Sequence, residues 1–208
     1  MKHSRRAPAI TSRIAAALER EGFRARRPGV LAIDTAPGFC GWLGLNVVAR
    51  RGLGDTEVNV LVGVRCEEVE SIVRELSNQA SARYFVATIR THIGYLMAVA
   101  TYQPWYVAPD APDDCISEIV STISDIGLPF MKENSDLVQI ARRFRDGRYA
   151  DADHQMYRLP VCLYLLGDVR QARALCLEYV ASLEDRDDIA ATMLRAFLQA
   201  FLSSMATS

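Results

Sequence analysis

Between residues 58 and 64 the apolar positions alternate, with Val58, Val60, Val62 and Val64 separated by Asn59, Leu61 and Gly63. Side chains two apart lie on one face of a strand. A few residues on, the period changes, because Val69, Ile72, Val73 and Leu76 recur three and four apart. That is the spacing of one helix face. A half-buried strand therefore runs directly into an amphipathic helix over about Cys66–Asn78, and the core must combine sheet and helix. Glu67, Glu68 and Glu70 stand in the first turn of that helix, where negative charge meets the positive end of the helix dipole.

The same reading extends to both sides. Thr11 to Glu21 predicts a helix with Ile14, Ala17 and Leu18 inward and Gly22 as its stop. Arg24, Arg26 and Arg27 form an exposed basic entry to the sheet, followed by a short strand over Val30–Ile33 and a Pro-Gly turn at residues 35–38. A strand over Trp42–Arg50 turns through Arg51–Asp55 and pairs back with Glu57–Val64 as a hairpin. Tyr84–Ile89 predicts another strand, which Ile93–Met97 continues or follows with a further one. Tyr102–Val107 closes the sheet as an edge strand, since Pro104 has no N–H for a ladder bond.

Residues 108–114, Ala-Pro-Asp-Ala-Pro-Asp-Asp, are broken twice by proline and mark the expected boundary between a sheet domain, 1–109, and a helical region, 110–208. Beyond it the helical period dominates. One helix carries Ile116, Ile119, Val120, Ile123 and Ile126 and ends at Gly127 and Pro129. Others open at Ser135 or Asp136, run from about Ala150 to Leu166 with a kink or later start at Pro160, and cover Val169–Leu183 and Ile189–Leu202. Gly147–Ala152 and Gly167–Ala172 echo each other as G-x-x-x-x-A. The second copy resembles the turn between paired helices of a tetratricopeptide unit, although the twenty-residue offset does not match the ~34-residue period of such arrays. The expected fold class is α+β: an antiparallel β-meander with flanking helices, then an α-helical C-terminal bundle of antiparallel neighbours.

Composition is ordinary for a globular chain, with 208 residues, 50% hydrophobic and 24% charged, and the net charge of −1 selects no class of partner. The distribution of charge adds more. Residues 1–66 carry 11 Lys/Arg against 5 Asp/Glu, and residues 67–208 carry 13 against 20. An acidic helical surface suits a basic partner. The five cysteines, at 40, 66, 115, 162 and 176, form no CxxC and are odd in number, which points to free thiols in a reducing compartment. No apolar run approaches the ~18–20 residues of a membrane span, and no signal core follows the basic N-terminus, so a cytoplasmic location is expected.

Candidate chemistry is sparse. The chain has no G-x-S-x-G, P-loop, G-x-G-x-x-G or H-E-x-x-H motif. Gly52-Leu-Gly54 precedes a strand and not a helix, and so does not cradle a phosphate. His3 lies in a tail, and His92 has a structural, hydrogen-bonded place at a strand end. Asp151 and His154 share a helix face but lack a third metal ligand. Cys40 is the cysteine with expected exposure, without an evident base to activate it. The basic N-terminal residues lack interleaved aromatics, so nucleic-acid binding is disfavoured. No catalytic, cofactor or metal residue is assigned. Paired carboxylates Asp113/Asp114, Asp151/Asp153 and Asp187/Asp188 fall at helix starts, where capping accounts for them. Tyr95, Tyr102, Trp105 and Tyr106 form a second candidate surface, since such side chains anchor interfaces and equally pack under helices.

With Gly94-Tyr-Leu-Met97 and Tyr102-Gln-Pro-Trp105 at the end of the sheet, the order of elements resembles small bacterial proteins encoded beside toxins, including immunity proteins of contact-dependent growth inhibition. The resemblance implies a cytoplasmic, non-enzymatic protein without cofactor that binds the C-terminal domain of a cognate toxin, commonly a basic nuclease. The candidate contact residues are Glu184, Asp185, Asp187 and Asp188, then Asp151 and Asp153. Two other readings stay open: a helical-hairpin adaptor for a peptide or protein, and an enzyme with an unrecognised site, which a deep pocket joining His92 or Cys40 to carboxylates would indicate.

Overall fold

The computed structural model describes residues 6–50, 54–77, 85–108, 112–147, 149 and 151–206. The sequence expectations at His3, Arg51–Leu53, Asn78, Tyr84, residues 109–111 of the linker, and Arg148 and Ala150 of the first glycine echo lie outside the described residues. In chain order the elements are α1 (Arg6–Glu19), β1 (Arg24–Arg27), β2 (Val30–Ala36), β3 (Phe39–Ala49), β4 (Thr56–Cys66), α2 (Glu67–Ser77), β5 (Ile89–His92) and β6 (Trp105–Val107), followed by α3 (Pro112–Thr122), α4 (Leu128–Glu133), α5 (Leu137–Arg145), α6 (Ala152–Leu165), α7 (Val169–Ser182) and α8 (Ile189–Ser204). The fold is α+β: an antiparallel sheet of six strands and a C-terminal helical region. The strands lie in the order β1-β2-β3-β4-β5, and β6 pairs with β4.

The chain divides into two compact units that interleave in sequence. The first holds Met1–Val64 and Arg90–Ser135, and the second Arg65–Ile89 and Asp136–Ser208. This division differs from a cut at 109/110, because α3 and α4 belong with the sheet and α2 belongs with the later helices. It also redistributes charge. The first unit carries 12 Lys/Arg and 11 Asp/Glu and the second 12 and 14, so the imbalance between consecutive halves largely disappears.

In the first unit, the alternating valines Val58, Val60, Val62 and Val64 are all fully buried. Asn59 and Gly63 are buried as well, so β4 is covered on both faces rather than half-buried as its alternation suggests. The helix after residue 112 does not stop at Gly127. It passes through one π-helical turn, Ile123–Gly127, into α4, and Gly127 is buried within contact distance of Val62. The segment after β5 is not a strand. His92 Nδ1 accepts the Gly94 N–H at 3.2 Å and caps a 3-10 turn over Ile93–Leu96. A local side-chain bond of this kind offers the backbone an alternative to a ladder. Phe85–Thr88 is likewise not strand, and pairing begins at Ile89.

In the second unit, all four helices α5–α8 start in the same way. Asp136, Asp151, Asp168 and Asp188 each accept a backbone N–H three residues on, satisfying a donor that the first helical turn leaves open. Gly167, at φ 82°, turns α6 into α7, a left-handed conformation that costs glycine nothing and other residues about 1 kcal/mol or more. Ala172 beyond it is fully buried, which gives the helical-hairpin geometry its close approach. α6 runs continuously through the buried Pro160. Phe197 and Phe201 of α8 stack at 6.1 Å and meet Tyr157 and Tyr164 of α6 at 4.8 and 5.6 Å. Cys162 and Cys176 are buried beside this core as small apolar residues.

Candidate partner-binding surfaces

The acidic residues named from sequence fall at one end of the second unit, in and beside the turn between α7 and α8. They do not act alike. Arg186, inside the turn, donates to Asp153 Oδ1 at 3.0 Å and to Asp188 Oδ2 at 3.0 Å. Asp188 also caps α8 through the Ala191 N–H. The Arg186 hydrogen bond and then that N–H hold the Asp188 carboxyl below its ordinary range. Asp151 caps α6 through the His154 N–H at 2.8 Å. Glu184, Asp185 and Asp187 are exposed, and none of their carboxylates is engaged in this way. Three of the six carboxylates therefore have structural work and three project into solvent. Arg186, adjacent in sequence to both groups, is the clamp that the charge pattern did not single out.

The strongest electrostatic feature of the second unit is internal. Glu70 lies 4% exposed on α2. Arg158 of α6 grips it bidentately, Nε to Oε1 at 2.7 Å and Nη2 to Oε2 at 2.9 Å. The Thr88 hydroxyl donates to Oε1 at 2.9 Å and itself accepts the Cys66 N–H. Arg65 Nη1 stands 3.9 Å from Oε2 while its Nε and Nη2 bind Glu67. Burial alone would push the Glu70 carboxyl up, but the charge and hydrogen bonds of Arg158, then Arg65 and Thr88, outweigh it and hold it below 4.5. Glu70 is thus a paired core carboxylate and not, as its place in the first turn suggests, only a dipole partner. The guanidiniums of Arg158 and Arg65 are answered by Glu70 and Glu67. His154 joins the same region, with Nε2 2.8 Å from the Thr88 carbonyl. No group of three or more metal-ligand residues occurs among the described residues.

In the first unit the tyrosines separate from the tryptophan. Trp105 is buried and its Nε1 donates to Glu118 Oε1 at 3.0 Å. Tyr95, Tyr102 and Tyr106 are each about half exposed, at 52%, 51% and 49%. His92 packs 4.6 Å from the Tyr102 ring centroid, and burial pushes its imidazole pKa down. Cys40 is buried, contrary to its expected exposure. Burial also raises the thiols of Cys66 and Cys115, and that of Cys176 to about 12, the opposite of an activated nucleophile. Two surface grooves open on this unit. One, of about 630 Å³, lies between α1 and the sheet against Thr11, Ala15, Leu31 and Leu45. The other, of about 670 Å³, lies between α1 and α3 against Arg20, Ser117 and Ser121. Neither is lined by His92 or Cys40.

No protein-family model matches the chain, and comparisons with curated proteins and with solved structures return no match. Among the described residues no helix is long and apolar enough to cross a membrane.

Proposed function

We propose that this protein works by binding another protein, as an immunity-type neutraliser of a basic bacterial toxin domain, commonly a nuclease, in the cytoplasm. The observation that carries this reading is the end of the second unit, where Glu184, Asp185 and Asp187 project into solvent from a turn braced by the Arg186 clamp on Asp153 and Asp188. Unpaired carboxylates on a fixed frame steer a basic partner and set orientation more than they add raw affinity. The internal charges support the same reading, since Glu70, Arg65, Arg158 and His154 are committed to one another and to the backbone.

The test is association kinetics with the protein encoded by the neighbouring gene, which this reading expects to carry a basic toxin domain. Replacing Glu184→Gln, Asp185→Asn and Asp187→Asn together lowers the on-rate by about tenfold at low salt and much less near 0.15 M, where charges are screened within ~8 Å. An on-rate that is the same for both proteins at every salt concentration removes this corner from the contact. Failure of the two proteins to associate at all overturns the proposal.

A further inference from the structure

The protein-binding reading leaves unsaid what the first unit contributes, and the inference drawn here rests on that reading. Glu57 and Tyr106 are direct partners across the β4–β6 ladder, so their side chains leave the sheet on the same face. Their neighbours Thr56, Val58, Trp105 and Val107 are buried on the other. Tyr102, four residues earlier, brings its hydroxyl to the same place, bonded to Asn59 Oδ1 and 3.3 Å from Glu57 Oε1. Asn59 Nδ2 donates to that same oxygen at 2.9 Å. The Asn59 amide is thus the donor to Oε1, with the Tyr102 hydroxyl beside it, and no cation pairs with this carboxylate among the described residues.

The frame around it is fixed. One side of the Tyr102 ring rests on His92. The Arg50 guanidinium lies 4.7 Å from the Tyr106 centroid and pairs with Asp55 Oδ2 at 3.3 Å. Arg50 is therefore answered by Asp55, and the charge of Glu57 is left over. A carboxylate flanked by two half-exposed rings, one side of each already met by His92 or Arg50, attracts a guanidinium or ammonium group chiefly by charge, with the exposed parts of the rings as its margin.

We infer that Glu57, Tyr102 and Tyr106 form a receptor for an arginine or lysine side chain of the basic protein partner. Tyr95, on the 3-10 turn that His92 caps, extends the aromatic margin of the same segment.

The experiment is a chemical-shift titration of the full chain with the peptide acetyl-Gly-Arg-Gly-Arg-Gly-amide, and with the same peptide carrying citrulline for arginine. The arginine peptide shifts the amides of Glu57, Tyr102 and Tyr106, and the citrulline peptide does not. Glu57→Gln, nearly isosteric and outside the core, weakens the arginine peptide by about fivefold to tenfold, and Tyr106→Leu does so with Glu57 intact. Shifts that spare these residues, or that are as strong in Glu57→Gln as in the parent, overturn the receptor. Shifts confined to Glu184–Asp187 overturn it while leaving the acidic corner as the partner contact. The kinetic test above decides the binding reading itself.

Discussion

At the scale of single residues, the decisive group is Glu70. Its side chain sits in the first turn of an amphipathic helix, where local sequence assigns it to solvent and the helix dipole. Its partner Arg158 is 88 residues away in the chain, so no local pattern reveals the pair. Removing one half of a buried ion pair strands the other. Arg158→Met is expected to cost about 3–5 kcal/mol, while Glu70→Leu with Arg158→Met recovers much of that, both read from denaturant midpoints. The pair also sets an acid limit. The folded carboxyl titrates below the ordinary value of 4.5, so its contribution is complete above pH 4.5 and is lost as pH falls through the lower folded value. The unfolding midpoint should fall steeply below pH 4.5 in the parent and less steeply in the double variant. Equal slopes would show that other carboxylates govern acid unfolding.

At the scale of elements, capping explains the aspartates at the starts of α5–α8. Asp136, Asp151 and Asp188 were legible at helix starts from sequence and Asp168 was not, and the structure gives each of the four its N–H. Asp151→Ala should lower stability by about 0.5–2 kcal/mol, and Asp151→Asn should lower it little, because asparagine caps as well without the charge. A loss as large in Asp151→Asn, measured by thermal unfolding, would mean that charge and not the cap is what α6 uses. The 3-10 turn after β5 was not legible. Ile93–Met97 has strand-forming residues, but His92 bonds locally and Gly94 comes so close to Thr101 that a Cβ would meet its carbonyl oxygen. That close approach shapes the tyrosine-bearing segment, and only the folded neighbourhood supplies it.

At the scale of the whole molecule, the units do not follow the proline-rich linker. Arg65–Ile89 belongs with the helices from residue 136 onward, and it brings Glu70 and Thr88 to Arg158 and His154. A fragment of residues 110–208 therefore lacks part of its own core. Expressed alone, it should show poorly dispersed amide resonances and no cooperative unfolding, while the full chain shows both. A well-dispersed spectrum from that fragment would refute the interleaved division. The acidic excess of residues 67–208 loses weight for the same reason, and the local corner at Glu184–Asp187 carries the electrostatic argument in its place.

What the sequence determined by itself is periodic and local. The alternation at Val58–Val64, the helix faces, the aspartate caps and the glycine turn at 167 follow from backbone geometry over a few residues, and together they specify an α+β chain. Tertiary structure alone decided which distant charges meet. Glu70 with Arg158, Arg186 between Asp153 and Asp188, and Glu57 opposite Tyr106 each depend on elements far apart in the chain. A side chain's charge is written in the sequence, but whether that charge is spent on a partner or left facing solvent is set only when the chain has packed.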